Sequence, residues 1–214
     1  MRKSNLLSGA TDAQIADWIA ERLRHALAST DGTVAIALPG GATPFPILEA
    51  LVRRDLDWSR VVIDPTDDRV VTEDHPASNA GKLRALFEPL GTKVTSLVAA
   101  EAKAYPRSGN YCFVWLGMGT DGHIASLFPN TDPKLDDPLG LRRITPDPLP
   151  PEAPFDRVTL TLPALLSCDE LVFVIRGEDK RAVFEAAMRG EHDLPVARLL
   201  REAGARHMPV TVFT

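Results

Sequence analysis

The 214-residue sequence has little of what marks several large protein classes. It holds two cysteines, Cys112 and Cys168, too few for a disulfide framework. Both lie in or beside apolar runs, so free buried thiols are expected. His25, His75, His192 and His207 show no metal-ligand spacing, and no metal site is expected. No apolar run approaches the roughly 20 residues that cross a bilayer. Arg2 and Lys3 are followed by no sustained apolar stretch, so the start does not read as a signal peptide. Cytoplasm is the expected compartment, with no membrane partner. Excess positive charge is also missing: the formal net charge is -5, which argues against nucleic acid as a partner. Internal repeats, a Walker loop, a Gly-x-Gly-x-x-Gly fingerprint and a Gly-x-Ser-x-Gly elbow are all absent.

What is present is an ordinary globular composition, 44% hydrophobic and 25% charged, at a length that suits one domain over residues 1–214. Thr11 and Gln14 read as a capping box, followed by Ile15, Ile19, Leu23 and Leu27 at helical spacing. Val34–Leu38 and Val61–Ile63 read as buried strands, with a helix from Pro44 to about Arg54 between them. A polar loop then runs through Pro76, and Ser78 is placed to cap a helix over Asn79–Phe87. Further strands are expected at Val94–Val98, Tyr111–Leu116, Thr159–Leu162, Leu171–Ile175 and Pro209–Phe213. Helices are expected over Asp179–Met188 and Pro195–Glu202. The segment Asn130–Phe155 is rich in proline and aspartate, lacks a period, and reads as an irregular excursion over the surface, with the site a candidate for what it covers. Continuous apolar strands alternating with amphipathic helices predict an α/β fold with a mostly parallel sheet covered on both faces. Ligands of such folds bind outside the carboxyl ends of the strands.

Three loops at that predicted edge carry polar chemistry. Pro39-Gly40-Gly41-Ala42-Thr43-Pro44 joins a strand to a helix, and its backbone N–H groups suit an anion; a plain tight turn is the alternative. Asp64-Pro65-Thr66-Asp67-Asp68-Arg69 follows the next strand. Asp67 suits orientation of a polar group or proton acceptance, and Arg69 suits an oxyanion; a solvated, salt-bridged turn is the alternative. Gly117-Met118-Gly119-Thr120-Asp121-Gly122-His123 leaves the Tyr111–Leu116 strand, with a carboxylate and an imidazole two residues apart among three glycines. His123 suits proton transfer near neutral pH, or else a capping or core role. Ser126 lacks the surroundings of a nucleophile. Arg157 and Lys180 are two later cations that matter if the ligand is phosphorylated.

The order of these segments resembles the 6-phosphogluconolactonase family over nearly the whole chain. Gly40-Gly41-Ala42-Thr43-Pro44 is similar to its phosphate loop. Asp67-Asp68-Arg69 with His75-Pro76-Ala77-Ser78-Asn79 is similar to its Asp-Glu-Arg segment and downstream Ser-Asn pair. Gly117–His123 with Ala125-Ser126-Leu127-Phe128-Pro129 matches its most specific signature, and Arg157-Val158-Thr159 and Gly177 with Lys180 fit its two later basic positions. The resemblance implies a single-domain, Rossmann-like three-layer fold shared with sugar-phosphate isomerases and deaminases. It also implies hydrolysis of 6-phospho-D-glucono-1,5-lactone in the oxidative pentose phosphate pathway, without metal or organic cofactor. Carried over, His123 takes a proton from water, Asp121 or Asp67 orients polar groups, and Arg69 steadies the oxygen charge. Gly40, Gly41, Ala42 and Thr43 with Arg157 and Lys180 hold the phosphate. The partner is then a phosphorylated sugar lactone, and the protein a monomer or homodimer.

The nearest rival is a glucosamine-6-phosphate deaminase or isomerase. Ile124 leans that way, but Ser126-Leu127-Phe128-Pro129 replaces the deaminase-like Phe-Asn-Glu-Pro and its carboxylate. A noncatalytic sugar-phosphate binder is a further alternative, which would tolerate loss of His123. A DNA-binding regulator of this fold is disfavoured, with no basic patch and no room before Thr11 for a helix-turn-helix. Asp68 stands where the family usually has glutamate, and the chain ends at Thr214 without the short tail of many relatives.

Overall fold

A computed structural model describes residues 5–101, 109–149 and 154–214. Arg2, Lys3 and residues 150–153 of the proline-rich excursion lie outside the described residues. In chain order the elements are β1 (Asn5–Leu7), α1 (Asp12–Ala28), β2 (Val34–Leu38), α2 (Pro44–Leu51), β3 (Val61–Pro65) and β4 (Asp67–Arg69). They continue with α3 (Asn79–Phe87), β5 (Lys93–Val94), α4 (Leu97–Glu101), β6 (Phe113–Leu116), β7 (Leu141–Ile144) and β8 (Arg157–Leu160). The last are α5 (Leu162–Leu165), β9 (Leu171–Val174), α6 (Glu178–Arg189), α7 (Pro195–Ala205) and β10 (Val210–Phe213).

Seven strands form one parallel sheet in the order β1-β10-β9-β6-β2-β3-β5. Successive residues of a strand face opposite sides, so both faces must be covered when every position is apolar. Along β2, Val34, Ile36 and Leu38 pack with α1, α2 and α3, whereas Ala35 and Ala37 pack with the layer that holds α5, α6 and α7. The expected three-layer α/β architecture with a mostly parallel sheet is the one observed. The capping box of α1 is formed, with Gln14 N–H donating to Thr11 and the Gln14 side chain accepting from Thr11 N. Ile15, Ile19 and Leu23 of that helix are fully buried, each stabilising by about 1.5–3 kcal/mol relative to exposure. Both cysteines are free, and burial pushes the Cys112 thiol up to about 11 and the Cys168 thiol up to about 12. Among the described residues no helix is long and apolar enough to cross a membrane.

Four local readings are corrected. The expected strand Val94–Val98 stops at Val94, because Ser96 caps a helix instead: its hydroxyl accepts from Ala99 N at 3.3 Å. The polar run Asp67–Arg69 is a strand, not a loop, and pairs antiparallel with β8 in a second sheet of order β4-β8-β7. The excursion after Asn130 supplies β7 to that sheet and is therefore not wholly irregular. Asn5–Leu7 adds an edge strand beside β10 that the sequence reading did not include.

Two features place the site. After the edge strand β1 the chain visits β2, β3 and β5 on one side and then returns through β6, β9 and β10 on the other, so that β10 lies beside β1. The loops after β2 and β6 therefore diverge, which is where ligands enter open parallel sheets. Thr66 joins the two sheets: its N–H donates to Leu38 O at 2.9 Å, and its carbonyl accepts from Leu160 N at 2.9 Å. Asp67 thus begins β4 at the carboxyl edge of β3.

The start of α3 is pinned to β4 by Asp68, a fully buried carboxylate. It accepts from Asn79 N at 2.6 Å, Arg69 N at 2.8 Å, Ala80 N at 2.9 Å and Ser78 Oγ at 3.3 Å. Burial raises its carboxyl above the usual range, and the backbone donors oppose that shift. Asp68→Ala leaves those buried donors without an acceptor. We expect it to lower the unfolding free energy in urea by about 2–4 kcal/mol. A loss smaller than about 0.5 kcal/mol contradicts this role.

Candidate active site

A cavity of about 250 Å³ opens at the carboxyl edge between β2 and β6. It is lined by Gly40, Gly41, Ala42 and Thr43 after β2, Thr66, Asp67 and Arg69 around β4, Asn79 of α3, Gly117, Gly119, His123 and Ala125 after β6, and Lys180 of α6. The three loops singled out in the sequence therefore meet at one place. None of the described residues between 130 and 155 lines it.

The turn after β6 is built around two side chains. Gly119 N donates to His123 O at 3.0 Å and Gly122 N to Gly119 O at 3.1 Å, closing a loop whose flanks Met118 and Ile124 bridge antiparallel. His123 Nδ1 lies 2.6 Å from Asp121 Oδ1, and His123 N donates to the same oxygen at 3.2 Å. An ionised carboxylate only accepts, so Nδ1 carries a proton, and in the neutral ring the lone pair is then on Nε2. The imidazole contact holds the Asp121 carboxyl below the usual range, and so in its ionised form. Gly119 is required sterically: a Cβ there would come within 2.3 Å of His123 Nδ1 and 2.5 Å of Asp121 Oδ1. The Phe128 ring packs on the imidazole with centroids 4.8 Å apart. The turn is braced from outside by Val196 N, which donates to Gly122 O at 3.2 Å.

Asp67 is buried and points to the same turn, where its Oδ2 accepts from Ser126 Oγ at 2.5 Å. Ser126 N in turn donates to Thr159 Oγ1 at 3.2 Å, and Thr159 is the β8 partner of Asp67. Ser126 is thus a tie between the histidine turn and the second sheet. The sequence set it aside as a nucleophile and gave no sign of this role. Ala125 beside it has φ 48°, a left-handed conformation unusual for alanine. Its strain of about 1–3 kcal/mol is carried at the cavity wall.

Arg69 is half-buried. Its Nη1 donates to Ala77 O at 2.8 Å and Asn79 Oδ1 at 3.3 Å, while Nε is buried with no hydrogen-bond partner among the described residues. Arg157 stands opposite Arg69 in the β4–β8 register, but it is 3% exposed and does not line the cavity. Its Nη1 donates to Phe155 O at 2.6 Å. Burial first, and then the Arg69 guanidinium, pull its pKa below the usual arginine value, while Asp67 and Asp68 oppose that shift. Lys180, half-buried in the first turn of α6, does line the cavity. Asn79, in the sequence no more than half of a Ser-Asn pair, lines it too. Its one sequence signal was an asparagine directly after a serine already able to cap the helix. Among the described residues no group of three or more His, Cys, Asp or Glu side chains is placed to hold a metal ion.

The chain matches known proteins over most of its length. A family model described as glucosamine-6-phosphate isomerases/6-phosphogluconolactonase covers residues 8–208. A 6-phosphogluconolactonase of Pseudomonas aeruginosa is 36% identical over 202 residues, spanning 86% of this chain and 84% of its own. One from Mesorhizobium japonicum is 35% identical over 215 residues, spanning 93% and 88%. The crystal structure of a 6-phosphogluconolactonase from Shewanella baltica superposes with a TM-score of 0.80 at 27% identity, covering 99% of this chain and 97% of that one. With the cavity at the same sheet edge as its signature segments, the chain belongs to the glucosamine-6-phosphate isomerase/6-phosphogluconolactonase family.

Proposed function

We propose that this protein hydrolyses 6-phospho-D-glucono-1,5-lactone to 6-phospho-D-gluconate, the lactone step of the oxidative pentose phosphate pathway. The observation that carries the reading is the Asp121–His123 pair, which faces one cavity together with Arg69, the glycine loop and Lys180. The names of the relatives support the same reaction. A δ-lactone is already reactive, so one positioned base and one oxyanion partner suffice, with the phosphate fixing orientation.

In this mechanism His123 Nε2 takes a proton from water as the oxygen attacks the lactone carbonyl. The tetrahedral oxyanion is stabilised by the guanidinium of Arg69, which lines the cavity. Collapse breaks the bond between C1 and the ring oxygen, which takes the proton back from the imidazolium. The new carboxylic acid then releases a proton to solvent. Asp121 keeps Nδ1 protonated throughout, and Asp67, held by Ser126, orients polar groups of the substrate. Backbone N–H groups of Gly40–Thr43 at the start of α2, with Lys180, receive the phosphate. Arg157, behind the cavity wall, adds positive potential without lining it.

The deaminase alternative loses ground at two residues. Phe128, where the rival motif carries glutamate, puts an apolar ring against His123. Ile124, which leaned toward the rival, is fully buried in the core and does not line the cavity. We further propose that the chain acts as one cytoplasmic domain, as a monomer or homodimer without nucleic acid, metal or organic cofactor.

Acid release in weak buffer, compared with and without purified protein and beside a glucosamine-6-phosphate deamination assay, tests the reaction. We expect lactone hydrolysis well above the spontaneous rate and no ammonia; equal rates with and without protein would falsify the proposal. His123→Ala should lower kcat by about 10²–10⁴-fold, the range for general base removal, with little change in KM. Asp121→Asn lets an amide N–H face Nδ1 and favours the wrong tautomer, so it should also lower kcat far more than it raises KM. Steady-state kinetics check both, and unchanged kcat removes the role assigned. Lys180→Ala should raise KM for the phosphorylated lactone by about tenfold or more. It should leave unphosphorylated glucono-1,5-lactone unaffected; equal losses on the two substrates show that Lys180 does not meet phosphate.

A further inference from the structure

Asn79 is 1% exposed, yet the helix it opens does not need its side chain. The α3 cap is made by Ser78 Oγ, which accepts from Gly81 N at 3.0 Å, and by Asp68, which takes the N–H groups of Asn79 and Ala80. The Asn79 carboxamide is free to turn to the cavity wall, where it meets three different parts of the site. Its Oδ1 accepts from Arg69 Nη1 at 3.3 Å, and its Nδ2 donates to Asp67 O at 2.8 Å. It also lies against Gly40 so closely that a Cβ on Gly40 would fall 1.9 Å from Oδ1 and 2.5 Å from Nδ2.

These contacts fix the amide in one orientation. The Asp67 carbonyl can only accept and the guanidinium can only donate, so a flipped amide would lose both bonds. Asn79 and the Ala77 carbonyl share Arg69 Nη1 and so set the plane of the guanidinium. In close-packed surroundings a shift of the glycine loop is passed on to the amide, because no space lies between them.

We infer that Asn79 is a positioning residue that couples the place of the glycine loop to the orientation of Arg69. Phosphate seated at Gly40–Thr43 thereby aligns the group that meets the lactone carbonyl. The inference rests on the lactonase reading above and deepens it: phosphate recognition acts on turnover as well as on binding. Gly40 lacks a side chain because this amide occupies the space one would take.

A double-mutant cycle tests the coupling, with Gly40→Ala, Asn79→Ala and the double variant assayed on 6-phosphogluconolactone and on unphosphorylated gluconolactone. Each single variant should lower kcat on the phosphorylated lactone by about ten- to a hundredfold, the scale of misplacing a reacting group by about 1 Å. The double variant should match Asn79→Ala alone to within about twofold, because Gly40→Ala acts on kcat by displacing that amide. The advantage in kcat of the phosphorylated over the unphosphorylated lactone should shrink in all three. Losses that multiply in the double variant, or a Gly40→Ala defect confined to KM, overturn the inference.

Thermal melts of the same four proteins read the contact independently of catalysis. Gly40→Ala should lower the midpoint in the unaltered protein and change it little in the Asn79→Ala background. Equal shifts in both backgrounds overturn the contact. Asn79→Asp, which keeps the shape and the acceptor for Arg69 but turns a lone pair toward Asp67 O, should retain the fold and still lose turnover. Full kcat in Asn79→Asp also overturns the inference. If the unaltered protein fails to accelerate lactone hydrolysis while the melts remain non-additive, the functional reading fails and the contact between Gly40 and Asn79 stands.

Discussion

The hydrogen bond between Asp121 and His123 is the constraint around which the carboxyl edge of the sheet is arranged. It decides which nitrogen of the neutral imidazole keeps its lone pair, the one assigned as base in the proposed reaction, and the surrounding turn keeps that choice in place. Gly119 leaves room for the pair, and the bond from Gly119 N to His123 O closes the loop beneath it. Phe128 covers the ring, and Val196 N holds Gly122 from the α7 side. Past His123 the chain passes through Ala125 in a left-handed conformation and reaches Ser126, whose hydroxyl grips Asp67. That strained step lets one turn present an imidazole to the cavity and a hydroxyl to the neighbouring sheet.

The second sheet balances charge around this turn. Arg69 and Arg157 face each other across β4 and β8, an arrangement that repels on its own. Asp67 and Asp68 stand beside them, and the Phe155 carbonyl takes Arg157 Nη1. Each group then has a separate task. Asp68 docks α3, Asp67 faces the cavity, Arg157 is buried behind it, and Arg69 reaches the wall with one donor uncommitted. Asn79 links that arginine to the glycine loop, so the parts that would meet phosphate and carbonyl form one packed unit.

Much of this was legible in the sequence, because the parallel sheet advertises itself. Val34–Leu38 and Leu171–Val174 are unbroken apolar runs, and Thr11 with Gln14 marks the start of α1 without ambiguity. The glycine loops were legible for a similar reason, since glycines and charges at a strand end serve no packing need. The second sheet was not. Asp-Asp-Arg carries no alternation, and only pairing with β8 makes it a strand. The burial of Arg157 was equally hidden, since nothing in Arg157-Val158-Thr159-Leu160 tells that this strand pairs with Asp67-Asp68-Arg69. Ser126 and Asn79 act through partners 59 and 12 positions away, a distance that no local pattern reports.

The central claim is that Asp121 fixes the protonation of His123 so that Nε2 serves as the base. The most direct measurement is the tautomer itself, read by two-bond nitrogen–proton correlation NMR on protein with labelled histidine. The His123 signals are assigned by their loss in His123→Gln, at a pH where the ring is neutral. The account predicts a proton on Nδ1 and a bare Nε2 in the unaltered protein. A ring protonated on Nε2 there would contradict it.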